Sequence, residues 1–361
     1  MNTDHPGDLA GWETELTCYT AALARLLAVR DGTWWRRLLD GGPTLAVTPA
    51  ADDLLRFDHH VDPPLPALGL RIHSAETWAP VATALAEQIV ANGAAIALCD
   101  VFHLPWQRGY ERWHAPHWLT IVDGPDGWYV DDVLSMTTDL GPQPPRRIPV
   151  DQDRLPEWTL ALPPDDPVHV LREQSVAGTA ETGLGARYRW LEHEPEPTPR
   201  PDGSTWSGRA AGSVTRATTD DDRLVGTAAL VALAERFRFA TDPADFRQID
   251  DLWQALRQRE LLVRAALRDP TLIGPDGLRH WTEAVGAWRR LPPLLLHARM
   301  RAADGATVAG DRLADALTEL AAFEGRHLAP VAARPDRPSD TEHPTDRSSN
   351  AGRSVTATVA R

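Results

Sequence analysis

Not one of the 361 residues is a lysine, so every basic residue in the chain is an arginine. That absence removes Schiff-base chemistry, a pyridoxal phosphate anchor and a Walker-type phosphate loop, each of which needs the lysine ammonium or amine itself. Cysteine is almost as scarce. Cys18 and Cys99 are the only two, too few for a disulfide framework. There is also no basic tract, and the formal net charge is −14, which argues against nucleic acid as a partner. No window is apolar enough to span a bilayer, and the first residues, Met1 to Asp8, are polar and acidic with no apolar core. The expectation is a protein of the reducing cytoplasm with no membrane partner.

What remains is ample core and unusual tryptophan. At 42% hydrophobic residues the chain can fill two domains. Its 14 tryptophans exceed the ordinary needs of packing, and Trp106, Trp113 and Trp118 gather in one segment with His117. Beside their packing role they are candidates to line an acyl or amine pocket.

The chemistry begins at Cys18. Leu23, Leu26 and Leu27 follow it at helical spacing, Thr17 is a suitable cap, and Gly32 is placed to supply a left-handed stop. Cys18 then occupies the first turn, where unpaired backbone N–H groups and the positive end of the dipole favour a thiolate. The competing reading is a small apolar core residue at a helix start. Cys99, inside the apolar run Ala94 to Cys99, reads as inert core of a buried strand.

A second segment gives Cys18 a partner. His117 opens the run Trp118 to Val122, the turn signal Asp123-Gly124-Pro125-Asp126-Gly127 follows, and Trp128-Tyr129-Val130 resumes a strand ending in Asp131-Asp132. The open ends of an antiparallel hairpin are neighbours, so one of those carboxylates can fix the tautomer of the imidazole. Asp131 and Asp132 point to opposite faces of a regular strand, and both stay candidates. Cysteine, histidine and carboxylate together suggest acyl transfer through a thioester.

These residues resemble the BtrH-like family, named for a butirosin-biosynthesis acyltransferase, whose N-terminal half is of the papain-like cysteine-peptidase type. The resemblance rests on Leu16-Thr17-Cys18, on Asp100-Val101-Phe102-His103-Leu104-Pro105-Trp106, on Tyr110 and His114, and on His117 to Gly124 with Asp131-Asp132. It implies an antibiotic-biosynthesis enzyme that takes an acyl or aminoacyl group from the phosphopantetheine arm of an acyl or peptidyl carrier protein and passes it to a small-molecule amine. No bound cofactor is implied. By position, Cys18 is the nucleophile, His117 the base, and Asp132 or Asp131 the orienting acid, with Asp100, Trp106, Tyr110, His114 and Trp118 as substrate-side residues.

One departure bears on activity. Papain-like peptidases place a glutamine before the cysteine to hold the oxyanion, and Leu9 to Thr17 contains neither Gln nor Asn. The Cys18 backbone N–H, with Thr14 or another donor, is left to do so. A lost donor costs roughly 3–4 kcal/mol in hydrolases, which favours an activated thioester over a peptide as substrate. The alternatives carried forward are a cysteine peptidase or amidase on the same fold, and a catalytically inert binding protein.

The layout reads as α+β. A papain-like domain is expected over 1–191, a linker or mobile loop over 192–222, a helical domain over 223–330 and a disordered tail over 331–361. Glu76 to Asn92 is a helix with Trp78, Val81, Leu85, Ile89 and Val90 on its apolar face and Gly93 as its stop. Prolines 142, 144, 145, 149 and 156 imply extended chain, and Trp158 to Leu162 one more strand. Beyond Arg223, apolar residues at helical spacing predict about five helices. Their arginines, among them Arg236, Arg238, Arg257, Arg259, Arg264, Arg289, Arg290, Arg299 and Arg301, suit either an acidic carrier protein or ordinary solvated helix faces. No metal is expected, because His59-His60, His103, His114 and His117 match no ligand spacing. Asp52-Asp53 and Asp220-Asp221-Asp222 read as caps and turns.

Overall fold

In the computed structural model the local signals around Cys18 and His117 become α1 (Cys18–Ala28), α2 (Trp34–Leu38), β1 (Ala46–Pro49), β2 (Leu55–Asp58), β3 (Leu70–Ala75), α3 (Trp78–Asn92), β4 (Ala94–Asp100) and β5 (Pro116–Gly124). The chain continues with β6 (Gly127–Asp132), β7 (Met136–Thr138), β8 (Gly141–Gln143), β9 (Arg146–Pro149), α4 (Leu155–Trp158), α5 (Pro167–Ala177), β10 (Tyr188–His193) and β11 (Leu224–Val225). Among the described residues five more helices follow: α6 (Thr227–Arg238), α7 (Ile249–Arg268), α8 (Gly274–Trp288), α9 (Leu291–Ala303) and α10 (Gly310–His327). The structure describes residue 9 and residues 11–327, apart from 30, 40, 41, 44, 59–64, 139, 178–184, 194–221, 241, 247, 307 and 309. The expected tail, most of the expected linker, His59-His60 and Asp220-Asp221 therefore lie outside the described residues.

The architecture is mixed α+β with antiparallel sheets and a helical C-terminal part. The main sheet has six strands in the order β3-β10-β4-β5-β6-β9. β10, late in sequence, inserts between β3 and β4 with Leu191 opposite both Ile72 and Ile96. One face of this sheet receives α3, whose Val81, Leu85 and Ile89 pack with Ala95, Ala97, Leu119, Ile121 and Val130. The other receives α1, whose Leu23, Leu26 and Leu27 share a cluster with Ile96, Leu98, Trp118 and Val122. Each such leucine contributes about 1.5–3 kcal/mol on burial. Leu261, Leu262 and Ala265 of α7 and Trp281 of α8 belong to that same cluster. α7 thus reaches the element that carries Cys18. β11 pairs with β1, and β1 and β2 pack with α6, α7, α9 and α10 in a further cluster.

The β5–β6 hairpin turns through Pro125 and Asp126, with Gly127 at φ 124° and Gly124 opposite it. A side chain at Gly124 would meet the Tyr129 ring at 2.4 Å, so glycine is required there by close approach. Gly93 caps α3 in the left-handed conformation, as expected. Val90 corrects the expected apolar face of that helix, since it is 89% exposed while Ala84 is buried in its place. Gly32 is not the left-handed stop of α1, which ends at Val29 in ordinary helical geometry. The Asp31 side chain instead accepts bonds from the Thr33 N–H and hydroxyl. Trp158 to Leu162 is no strand. Trp158 ends α4, and only Leu160 makes a bridge, to Tyr188.

Candidate active site

Cys18 is the first residue of α1, and its position is fixed by a capping box. The Thr17 hydroxyl accepts from the Thr20 N–H at 3.2 Å, and the Thr20 hydroxyl accepts from the Thr17 N–H at 2.8 Å. Both threonines are buried. This reciprocal pair sets where the helix begins and leaves the half-buried Cys18 side chain at its positive end.

His117 enters from the start of β5, where the Cys99 thiol donates to its backbone carbonyl at 3.3 Å. Its Nε2 lies 3.1 Å from Oδ2 of Asp132. Both side chains are buried, at 1% and 5% exposure for the residues. The hairpin register explains the meeting: Ile121 faces Val130, so His117, four residues from Ile121, and Asp132, two residues from Val130, lie on one face. Asp131 takes the opposite face, and its carboxylate accepts from Arg25 Nε of α1 at 2.9 Å. Of the two candidates the structure brings Asp132 to the imidazole.

A buried carboxylate needs more than one donor. Asp132 Oδ2 also accepts from Trp106 Nε1 at 2.8 Å and from Gln107 Nε2 at 2.6 Å, and Oδ1 accepts from the Leu134 N–H at 3.3 Å. Burial alone would favour the neutral forms of both partners. For His117 that loss is outweighed by the Asp132 charge and hydrogen bond, and by Cys18, which lies within hydrogen-bonding reach, so its pKa rises to about 10. Asp132 is held below the usual carboxylate range despite its burial, by the His117 charge and bond and by Trp106 and Gln107. With Nε2 taken by Asp132, Nδ1 is the nitrogen left to face the thiol.

The pair predicts a pH effect of definite sign. A histidine whose pKa is raised on folding stabilises the fold fully below its unfolded value of 6.5, and the contribution is lost as pH rises through about 10. Folding stability should therefore fall between pH 7 and 10 by up to about 1.4 kcal/mol per pH unit. Asp132→Asn, which removes the anion, should flatten that dependence in thermal melts followed across this range. An unchanged slope would mean that His117 does not titrate in this window.

A solvent-connected cavity opens beside the thiol, lined by Cys18, Tyr19, Ala115, Pro116, Trp118, Arg172, Glu173, Val176 and Gln254. Tyr19 and Trp118 meet ring to ring at 5.2 Å. Trp118 is thus the one expected substrate-side residue that lines the cavity. Trp106 supports Asp132 and packs edge-on against Trp158. Asp100 is fully buried, where it accepts from the Phe102 and Ala115 N–H groups and pairs with His114. Both of those residues shape the loop that delivers His117. Tyr110 bonds Arg154 instead.

Several residues of the site escaped the sequence reading. Gln107 stands next to Trp106, just past the Asp100–Trp106 run, and a lone polar residue there carries no signal in the sequence. α5 supplies Arg172, bound by Asp251 of α7 through Nε and Nη2, and Glu173, bound by Arg189 of β10. Neither pairing has a sequence signal. Among the described residues no group of three or more His, Cys, Asp or Glu could hold a metal. Most of the arginines of the helical part are engaged within the fold: Arg238 with Asp315, Arg259 with Glu324, Arg289 with Glu260, Arg299 with Asp250, and Arg257 and Arg264 with the carbonyls of Ser135 and Gly11. No described helix is long and apolar enough to cross a membrane. The chain matches no protein-family model and no curated protein.

Proposed function

We propose that this chain is a cysteine acyltransferase of papain-like build. It takes an acyl or aminoacyl group from a carrier-bound thioester and transfers it to an amine in the making of a natural product. The observation that carries the reading is the buried His117–Asp132 pair set beside a thiol at the capped start of a helix. A buried ion pair is poor value for stability, and a raised imidazole pKa next to a thiol is what thiolate chemistry uses.

The mechanism follows from the charges. His117 is protonated at neutral pH against the Asp132 carboxylate, and its imidazolium beside the sulfur supplies the positive charge that a Cys18 thiolate uses. That sulfur bonds to the thioester carbonyl carbon, and the carrier thiol leaves with the proton from His117. Forming the acyl-enzyme removes the thiolate, one of the groups that raise the His117 pKa. The imidazole is then a base, and it accepts the proton of the amine that displaces the acyl group from sulfur. Asp132 stays ionised throughout and keeps the ring oriented. Trp118 and Val176 give the cavity an apolar wall for the acyl chain.

The test is the intact mass of the protein after brief incubation with simple acyl-pantetheine thioesters, followed by peptide mapping. An acyl adduct at Cys18 that amines discharge supports the transferase. An adduct discharged by water at a rate that amines do not change would make the protein a hydrolase of the peptidase or amidase kind. No adduct, with Cys18 unreactive to iodoacetamide near neutral pH, would make it a binding protein.

A further inference from the structure

The transition state of thioester attack carries negative charge on the carbonyl oxygen, and a helix-start cysteine offers its own backbone N–H as one donor. The segment before Cys18 offers no second one. Thr14 is exposed and does not line the cavity. The Thr17 hydroxyl is committed to Thr20. The Glu15 carboxylate, with a buried unpaired Oε2, is an acceptor. Gln107 does not line the cavity, and its Nε2 donates to Asp132 and lies 3.5 Å from His117 Nε2.

Tyr19 and Trp118 turn their rings to each other at 5.2 Å, and the charged and amide side chains of the cavity come from α5 and α7. Arg172 is held by Asp251 through two of its three nitrogens, and Glu173 by Arg189. Gln254 is different. It sits one turn beyond Asp251 on α7, lines the cavity with Cys18, and its amide makes no hydrogen bond to any described residue. α7 passes close to the strand of chain that leads into α1: Glu15 acts electrostatically on Arg257, and Leu261 and Leu262 pack in the cluster that holds α1.

We propose that the Gln254 side-chain amide, delivered from the helical C-terminal part, is the second oxyanion donor at Cys18. The inference rests on the acyl-transfer reading above. As the Cys18 sulfur bonds to the carbonyl carbon, the carbonyl π electrons move to oxygen. Gln254 Nε2–H and the Cys18 N–H bond that oxygen, and its electrons return to expel the pantetheine thiol, which leaves with the proton from His117. Gln254 itself gains and loses nothing. The donor that papain-like enzymes draw from just before the cysteine comes here from a distant helix, so the catalytic centre is complete only when α7 is docked on α1.

The experiment compares two reactions of the same thiol. Alkylation by iodoacetamide displaces iodide and forms no oxyanion, whereas acylation by acyl-pantetheine thioesters does. Gln254→Ala and the similarly sized, uncharged Gln254→Met, made in the full chain, should alkylate like the wild type across pH. Their single-turnover acylation should be slowed about 10²–10³-fold. Equal acylation in variants and wild type would overturn the inference while leaving the acyltransferase standing. Parallel loss of both reactions would overturn it too, because Gln254 would then act on the thiol or the fold. A wild type that takes no acyl group would sink the acyl-transfer reading and this inference together.

Discussion

Cys18→Ala is expected to abolish acylation by thioesters completely, and His117→Ala to leave a residue about 10³–10⁴-fold below the wild type in single-turnover rate. The first removes the only atom that can carry the acyl group, since the other cysteine is buried with its thiol pushed up by desolvation and donating to the His117 carbonyl. The second removes the proton source for the leaving thiol and the charge that steadies the thiolate, but leaves the helix start and the cavity. The two losses should not add, because nucleophile and base act as one unit. Cys18→Ala/His117→Ala should be no worse than Cys18→Ala alone. His117→Ala should also slow the alkylation of Cys18 by iodoacetamide near neutral pH, as the imidazolium no longer stands beside the sulfur. A His117→Ala protein that acylates at wild-type rate would refute the role of the pair, whatever its geometry.

The elements that proved readable from sequence are those set by neighbours in the chain. Thr17 and Thr20 cap α1 through bonds within one turn. Gly93 stops α3 by its own φ of 73°. The hairpin from His117 to Asp132 follows from one turn signal between two apolar runs. Its register even settles Asp132 over Asp131, but only once Ile121 is known to face Val130, a pairing that one residue of slip would reverse. What could not be read depends on distant contacts. Val90 fits the helical period as well as Ile89 does, and only the position of the sheet leaves it in solvent. β10 inserts between β3 and β4 from far along the chain. The cavity wall is drawn from α5 and α7, where Arg172, Glu173 and Gln254 look like any polar residues of a solvated helix until Asp251 and Arg189 are placed against them. Local physics points to Cys18 and His117 as candidates, and tertiary packing chose what surrounds them.

Arg189→Met is the substitution expected to cost most in stability. Arg189 of β10 is 2% exposed, and Glu173 of α5 is 6% exposed. Both Nη atoms of the arginine bond the carboxylate, with Nη2 to Oε1 at 2.8 Å, and Nη2 also donates to the Leu162 carbonyl at 3.3 Å. Burial pushes the Glu173 carboxyl above its ordinary pKa even with the guanidinium in place. Removing the arginine therefore leaves a desolvated carboxylate with no partner, at a cost of about 3–5 kcal/mol. Part of that cost should vanish at acid pH, where Glu173 can fold as the neutral acid. Glu173→Leu in the Arg189→Met background should recover most of the loss, because an apolar pair of similar volume needs no desolvation to be offset. Chemical denaturation of the two single variants and the double variant closes the cycle. A loss under about 1 kcal/mol for Arg189→Met would show that solvent reaches the pair and that α5 is not clamped to β10. Because Glu173 also lines the cavity, the stable double variant serves a second end. If it acylates like the wild type, the Glu173 charge holds the wall and takes no part in the chemistry. If amine discharge alone falls, the carboxylate meets the incoming amine, and the cavity's one acidic side chain is part of acceptor recognition.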